Sequence, residues 1–177
     1  SETQRKYMGT LWNTYAFFCL YADIDHYDPS KYDLKKCKLS LMDKWVLSRL
    51  NTLVKKVDAG LEKYEITESA RALQDFTDEL SNWYVRRGRD RYWGSEMTED
   101  KAAAYTTLWH VLETLSRLTA PFTPFIAEEM YQNLVPSFFK NAPESVHLCS
   151  FPEADESYID AELEAGMDAV LNIVNLG

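Results

Sequence analysis

Apolar residues recur along the chain at spacings of three and four, the period of a helix that buries one face, while the strict alternation of a half-buried strand is almost absent. The pattern predicts an all-α helical bundle of about five long helices, with a short irregular or extended segment before the last helix. A first helix from about Arg5 to Ala22 gathers Met8, Leu11, Trp12, Tyr15, Phe18 and Cys19 on one face, and Phe17, Leu20 and Tyr21 make it apolar nearly all round. Such a helix is either central or covered by something outside the chain. A polar connection over Asp23–Ser40 leads to a second helix, from Leu41 to about Gly60–Tyr64, that turns Met42, Trp45, Val46, Leu50, Leu53, Val57 and Leu61 inward. Its opposite side carries Lys44, Ser48, Asn51 and Lys55 in a polar line facing solvent or a partner.

A third helix is expected from a Thr67 or Ser69 cap through to Trp93, with Ala70, Leu73, Phe76, Leu80 and Tyr84 inward and Gly94-Ser95 ending it. A fourth starts at the Thr98 cap and stops before Pro121, burying Tyr105, Leu108, Leu112, Leu115 and Thr119. In the fifth, Thr123 is placed to cap and Pro124 takes the first position, where a missing N–H costs nothing, and the helix reaches about Leu134. Residues 136–156 carry three prolines and the extended-looking Ser145–Phe151, too long for an ordinary bundle connection, and are expected to wrap the outside. A last helix, Tyr158–Leu176, aligns Ile159, Leu163, Met167, Val170, Leu171 and Val174. The whole reads as one domain over 1–177, with a bundle core at about 5–136, a wrapping loop at 137–156 and the last helix at 157–176.

Composition narrows the class. The 177 residues are 46% hydrophobic and 14% aromatic with only 6 Gly and 6 Pro, which excludes a disordered linker. No apolar run approaches the roughly 20 residues of a membrane-spanning helix, and Ser1–Lys6 opens no signal-type segment, so a soluble, cytoplasmic protein without membrane contact is expected. Cys19, Cys37 and Cys149 are odd in number and far apart, which suits reduced packing thiols rather than a disulfide framework or a zinc site.

Charge complicates the picture. The net charge of -9 opposes phosphate binding, yet residues 1–101 balance 17 basic against 17 acidic groups, and residues 102–177 carry the whole deficit. Lys31–Lys63 holds nine basic residues against four acids, and Arg86, Arg87, Arg89 and Arg91 crowd into six positions. An acidic chain can therefore own a basic face.

Free-standing catalysis finds little support. The chain has no Gly-rich phosphate loop, no GxSxG elbow and no HExxH, and the reversed His110-x-x-Glu113 is half of a di-iron motif at most. Of His26, His110 and His147, His110 reads as a packed or capping histidine, and the neighbouring carboxylates Glu128/Glu129 and Asp155/Glu156 diverge on a helix rather than converging as an acid–base pair.

The dense constellation is Leu80–Trp93. On an unbroken helix Arg87 and Arg91 continue the apolar face and are expected to be partly buried in structural ion pairs, whereas Asn82, Arg86, Arg89 and Trp93 point directly away from the core. Arginine grips phosphate in a two-pronged fork and tryptophan stacks on unpaired bases, a pairing suited to a folded RNA with an exposed loop. A solvated, arginine-rich helix end that complements the helix dipole is the other reading of the same residues.

Ser81-Asn82-Trp83-Tyr84-Val85-Arg86-Arg87 followed by Arg89-x-Arg91-x-Trp93 resembles the corresponding helix of the isoleucyl-tRNA synthetase family. Leu11-Trp12-Asn13-Thr14-Tyr15-x-Phe17, Asp43-x-Trp45-x-Leu47-Ser48-x-Leu50, Pro121-x-x-Pro124-Phe125-Ile126-Ala127-Glu128-Glu129 and Ser145-Val146-His147-Leu148 extend the likeness, in the same order, over essentially the full chain. The proline motif is shared with the valyl and leucyl relatives. Ala16, Gly88 and Asp90 depart from the family pattern, and Gly88 lowers helix propensity by about 1 kcal/mol relative to Ala.

The resemblance implies the anticodon-binding bundle of a class I synthetase, whose parent enzyme attaches isoleucine to its tRNA at the expense of ATP. Neither a HIGH-like nor a KMSKS-like element occurs here, nor the editing pocket, nor the zinc module of many members, so this stretch alone is not expected to be an enzyme or to hold ATP, magnesium or zinc. The expected partner is the anticodon stem-loop of isoleucine tRNA, met by Arg86, Arg89, Trp93 and Asn82 and, from the second helix, by Lys44, Asn51 and Lys55. The apolar first helix and the last helix would meet the rest of a monomeric parent enzyme. Two rival readings stand beside it: a structural or protein-interaction bundle without RNA affinity, and a free-standing enzyme with a site inside the bundle.

Overall fold

The computed structural model describes residues 2–176, the last for its backbone only. Its order is α1 (Glu2–Ile24), α2 (Leu41–Glu62), α3 (Ile66–Glu79), α4 (Glu99–Thr119), α5 (Pro124–Leu134) and α6 (Ala161–Leu176), with no strand among the described residues. The all-α expectation holds, and the starts of α2, α4 and α5 fall where the sequence puts them.

Each helix has a local cause. Ser40 and Asp43 form a reciprocal capping box at the start of α2, each side chain accepting the other's backbone N–H. Thr98 caps α4 by accepting from the Lys101 N–H. Thr123 does not cap α5; its hydroxyl bonds instead with Thr119 Oγ1 at 3.0 Å inside the preceding turn. The α2–α3 hairpin turns through Tyr64 in the left-handed region, and α3 packs close against Gly60, where a Cβ would lie 2.3 Å from Ser69 Oγ.

Leu11, Trp45, Leu47, Leu50, Leu73, Leu80, Tyr105, Leu108, Leu112 and Leu115 are fully buried between α1, α2, α3 and α4. Two phenols stitch distant segments through this core: Tyr7 to Thr119 and Tyr27 to Thr106, each at 2.9 Å. On α1 Leu11, Tyr15 and Phe18 are buried as expected, joined by Tyr7 and Thr14, whereas Trp12, expected on that face, is exposed together with Leu20 and Ile24.

The third helix departs most from expectation. It does not run to Trp93: α3 gives way at Leu80 to a π-helical segment, Leu80–Val85, and after Arg87 the chain leaves the helix at Gly88 for a 3-10 turn, Arg89–Tyr92. A π turn takes an extra residue into each turn and so rotates everything beyond it relative to an α-helical wheel. The wrapping stretch also differs. Ser145–Phe151 forms a short 3-10 turn at Val146–Leu148 instead of an extended run, held by the Glu128 carboxylate, which accepts from Ser145 Oγ and the Val146 N–H. α6 starts three residues later than expected; Leu171 is buried and Leu163 and Met167 pack on the core, but Val170 and Val174 are exposed.

Candidate nucleic-acid interface

The Arg86–Trp93 region is built around a buried carboxylate. Asp43, at the third position of α2, is fully buried and accepts from Arg91 Nη1 at 2.6 Å, Arg91 Nη2 at 2.9 Å, the Tyr84 hydroxyl and the Ser40 N–H. Burial alone would push this carboxyl up; the Arg91 fork, Tyr84 and the Ser40 N–H outweigh it and hold Asp43 below its ordinary value. Arg91 also bridges to Asp100 at the start of α4, with Nε at 3.1 Å and Nη2 at 3.0 Å from its carboxylate. Its expected role in structural ion pairing is what the geometry shows.

The turn is clamped at its far end as well. Lys101 is only 1% exposed, and its Nζ donates to the Gly94 carbonyl at 2.7 Å and pairs with Asp25 at 2.8 Å. Tyr92 is buried, donates to the Ala104 carbonyl and packs edge-on against Phe17 and Tyr105. Arg89 and Trp93 thus project from a segment whose intervening residues are locked, the arrangement a preorganised contact surface needs.

On that frame Asn82, Arg86, Arg89 and Trp93 are exposed, Trp93 by 62%, as the wheel expected. Arg87 overturns its expectation. It is exposed, has no carboxylate within 4.0 Å among the described residues, and lays its guanidinium 4.6 Å above the Trp83 ring. The π segment is the reason: the rotation that seats Tyr84 and Val85 in the core carries Arg87 out of it. Arg89 similarly stands 5.7 Å over Phe17.

The α2 line divides. Lys44 is exposed, one residue beyond Asp43 and so at the Arg91 end of the bundle. Asn51 is buried, contrary to a role on RNA: its amide donates to the Leu47 carbonyl and its oxygen accepts from the Asp155 N–H at 2.8 Å. Lys55 is tied to Glu156 at 2.8 Å, and Ser48 accepts from the Asp160 N–H at 2.8 Å and donates to Glu164. The polar line meets a partner, and the partner is the chain's own wrapping segment, a long-range contact that helical periodicity does not register.

Sequence reasoning also missed Arg49, which joins α2 to Glu79 of α3 and to Glu164 and Asp168 of α6. Lys101 had a readable signal, because it shares the inward register of Tyr105, Leu108 and Leu112. His110 sits beside the core, where burial pushes its imidazole down, as a packed histidine should behave. Among the described residues no three His, Cys, Asp or Glu side chains group as metal ligands, and no helix is long and apolar enough to cross a membrane.

Residues 43–177 match the family model of the anticodon-binding domain of tRNA ligase. The chain belongs to this family. It is 55% identical over 176 residues to an isoleucine–tRNA ligase of Clostridium novyi, 54% over 177 residues to that of Clostridium acetobutylicum, and 50% over 177 residues to isoleucine–tRNA ligase 2 of Bacillus thuringiensis. These alignments cover 99–100% of this chain, which spans only 16–17% of the length of those relatives. In this anticodon-binding domain the matched span includes Asp43, Arg91 and the turn that they hold.

Proposed function

We propose that this anticodon-binding domain docks the anticodon stem-loop of isoleucine tRNA within a cytoplasmic, monomeric isoleucine–tRNA ligase. The observation that carries the reading is the clamped turn itself: Arg86 and Arg89 stand exposed without carboxylate partners among the described residues, beside exposed Trp93, on backbone held by Asp43 and Lys101. Arg86 and Arg89 grip phosphates, Trp93 stacks on or buttresses the loop, and Asn82 and Lys44 extend the contact along the RNA backbone.

In this reading ATP and magnesium act in the catalytic part of the parent protein, outside this chain. The exposed Trp12, Leu20 and Ile24 of α1 and Val170, Ile173 and Val174 of α6 suit contacts with the rest of that protein.

Titrating the chain with a fluorescent isoleucine-tRNA anticodon stem-loop at several salt concentrations, beside an equal stem-loop bearing another anticodon, tests the reading. Arg86→Ala with Arg89→Ala is expected to weaken both complexes and flatten the salt slope by about two, one per lost phosphate contact. An unchanged slope removes this face from the interface.

A further inference from the structure

Arg86, Arg87 and Arg89 are all exposed, but they are not chemically equivalent. The Arg87 guanidinium carbon stands over the Trp83 ring, 4.6 Å from its centroid, and Trp83 is itself half-buried against the core. A guanidinium over an indole is held there by the attraction between the cation and the ring face. It presents a flat, weakly hydrated cationic surface outward, which a compact, strongly hydrated ammonium cannot do. Bases stack on such planes much as they stack on aromatic rings, and the charge adds to the attraction.

We infer that the Arg87–Trp83 pair is a stacking platform for one unpaired base of the bound RNA loop, distinct from the phosphate grip of Arg86 and Arg89. The inference rests on the stem-loop reading above and adds base contact to it. Arg87 has no carboxylate within 4.0 Å among the described residues that would claim its N–H edge, and the π segment that turns it outward is part of the same helix that carries Asn82 and Arg86. The Trp83 ring beneath Arg87, at 4.6 Å, holds the guanidinium beside the loop contact instead of in an ion pair, which is the placement a base-stacking group needs.

The deciding variant is Arg87→Lys, which keeps the charge and loses the plane. Affinity and salt slope are measured for the unaltered chain and the variant against two RNAs: the isoleucine-tRNA anticodon stem-loop, and the same stem-loop with its three anticodon nucleotides made abasic. The expected result is a loss of roughly tenfold on the intact loop, no loss on the abasic loop, and an unchanged salt slope on both. Equal affinity of variant and unaltered chain for the intact loop overturns the platform. So does an equal loss on both RNAs, which would make Arg87 a forked phosphate contact. If the unaltered chain binds neither RNA in a salt-dependent way, the stem-loop reading falls and the platform with it.

Discussion

The Arg91 guanidinium closes on both carboxylate oxygens of Asp43, 48 residues away, and through the same fork reaches Asp100. One side chain thereby joins the first turn of α2, the 3-10 turn after Gly88 and the first turn of α4. Removing it leaves Asp43 fully buried and charged with only Tyr84 and the Ser40 N–H to offset its lost hydration. Arg91→Met is expected to destabilise the fold by about 3–5 kcal/mol, read as a lower urea midpoint with an unchanged m-value.

Asp43 also sets an acid limit. Its carboxyl is depressed in the folded chain, so its contribution to stability is full above the unfolded value of about 3.9 and is lost as pH falls below that toward the folded value. Denaturant melts taken from pH 5 down to pH 2 should show stability falling across this window. Asp43→Asn should be less stable at neutral pH and show a shallower fall over the same range.

Asn51 fastens the wrapping segment and does not face RNA. Asn51→Ala strips the acceptor from the Asp155 N–H and is expected to cost about 1–2 kcal/mol. The salt slope for the anticodon stem-loop should stay that of the unaltered chain, and a flatter slope would return Asn51 to the interface.

Gly88 is a position where helix propensity gives the wrong sign. Alanine is the better helix former by about 1 kcal/mol, but a Cβ at Gly88 would lie 2.9 Å from the Tyr84 carbonyl oxygen, backbone that the core holds in place. Gly88→Ala is therefore expected to destabilise by about 1–3 kcal/mol, the cost of overpacking, in a thermal or urea melt.

Helix positions were legible because one rule produces them: Trp45, Leu50 and Val57, or Tyr105, Leu108 and Leu112, must share a face if they are to leave water together. The outward set Asn82, Arg86, Arg89 and Trp93 was legible for the same reason in reverse. Arg87 was not, because a wheel assumes an unbroken α-helix and the π segment turns Arg87 out of the face that the wheel assigns to it. Asn51 departs from expectation for another reason. A polar stripe on a helix has the same spacing whether it meets solvent, RNA or residues 155–164 of its own chain, and only the tertiary fold distinguishes these.

The fastenings between α2 and the wrapping segment join residues 101–116 apart in sequence: Asn51 to Asp155, Ser48 to Asp160, Lys55 to Glu156, Ser48 and Thr52 to Glu164. Contacts of that separation form only after long loops have closed, whereas the α2–α3 hairpin needs a turn of a few residues. The α2–α3 hairpin is therefore expected to form before these fastenings close. The outer wrap, most of whose residues are exposed or half-buried, is in turn expected to open before the bundle it crosses, its amides exchanging with solvent sooner than those of α2 and α4.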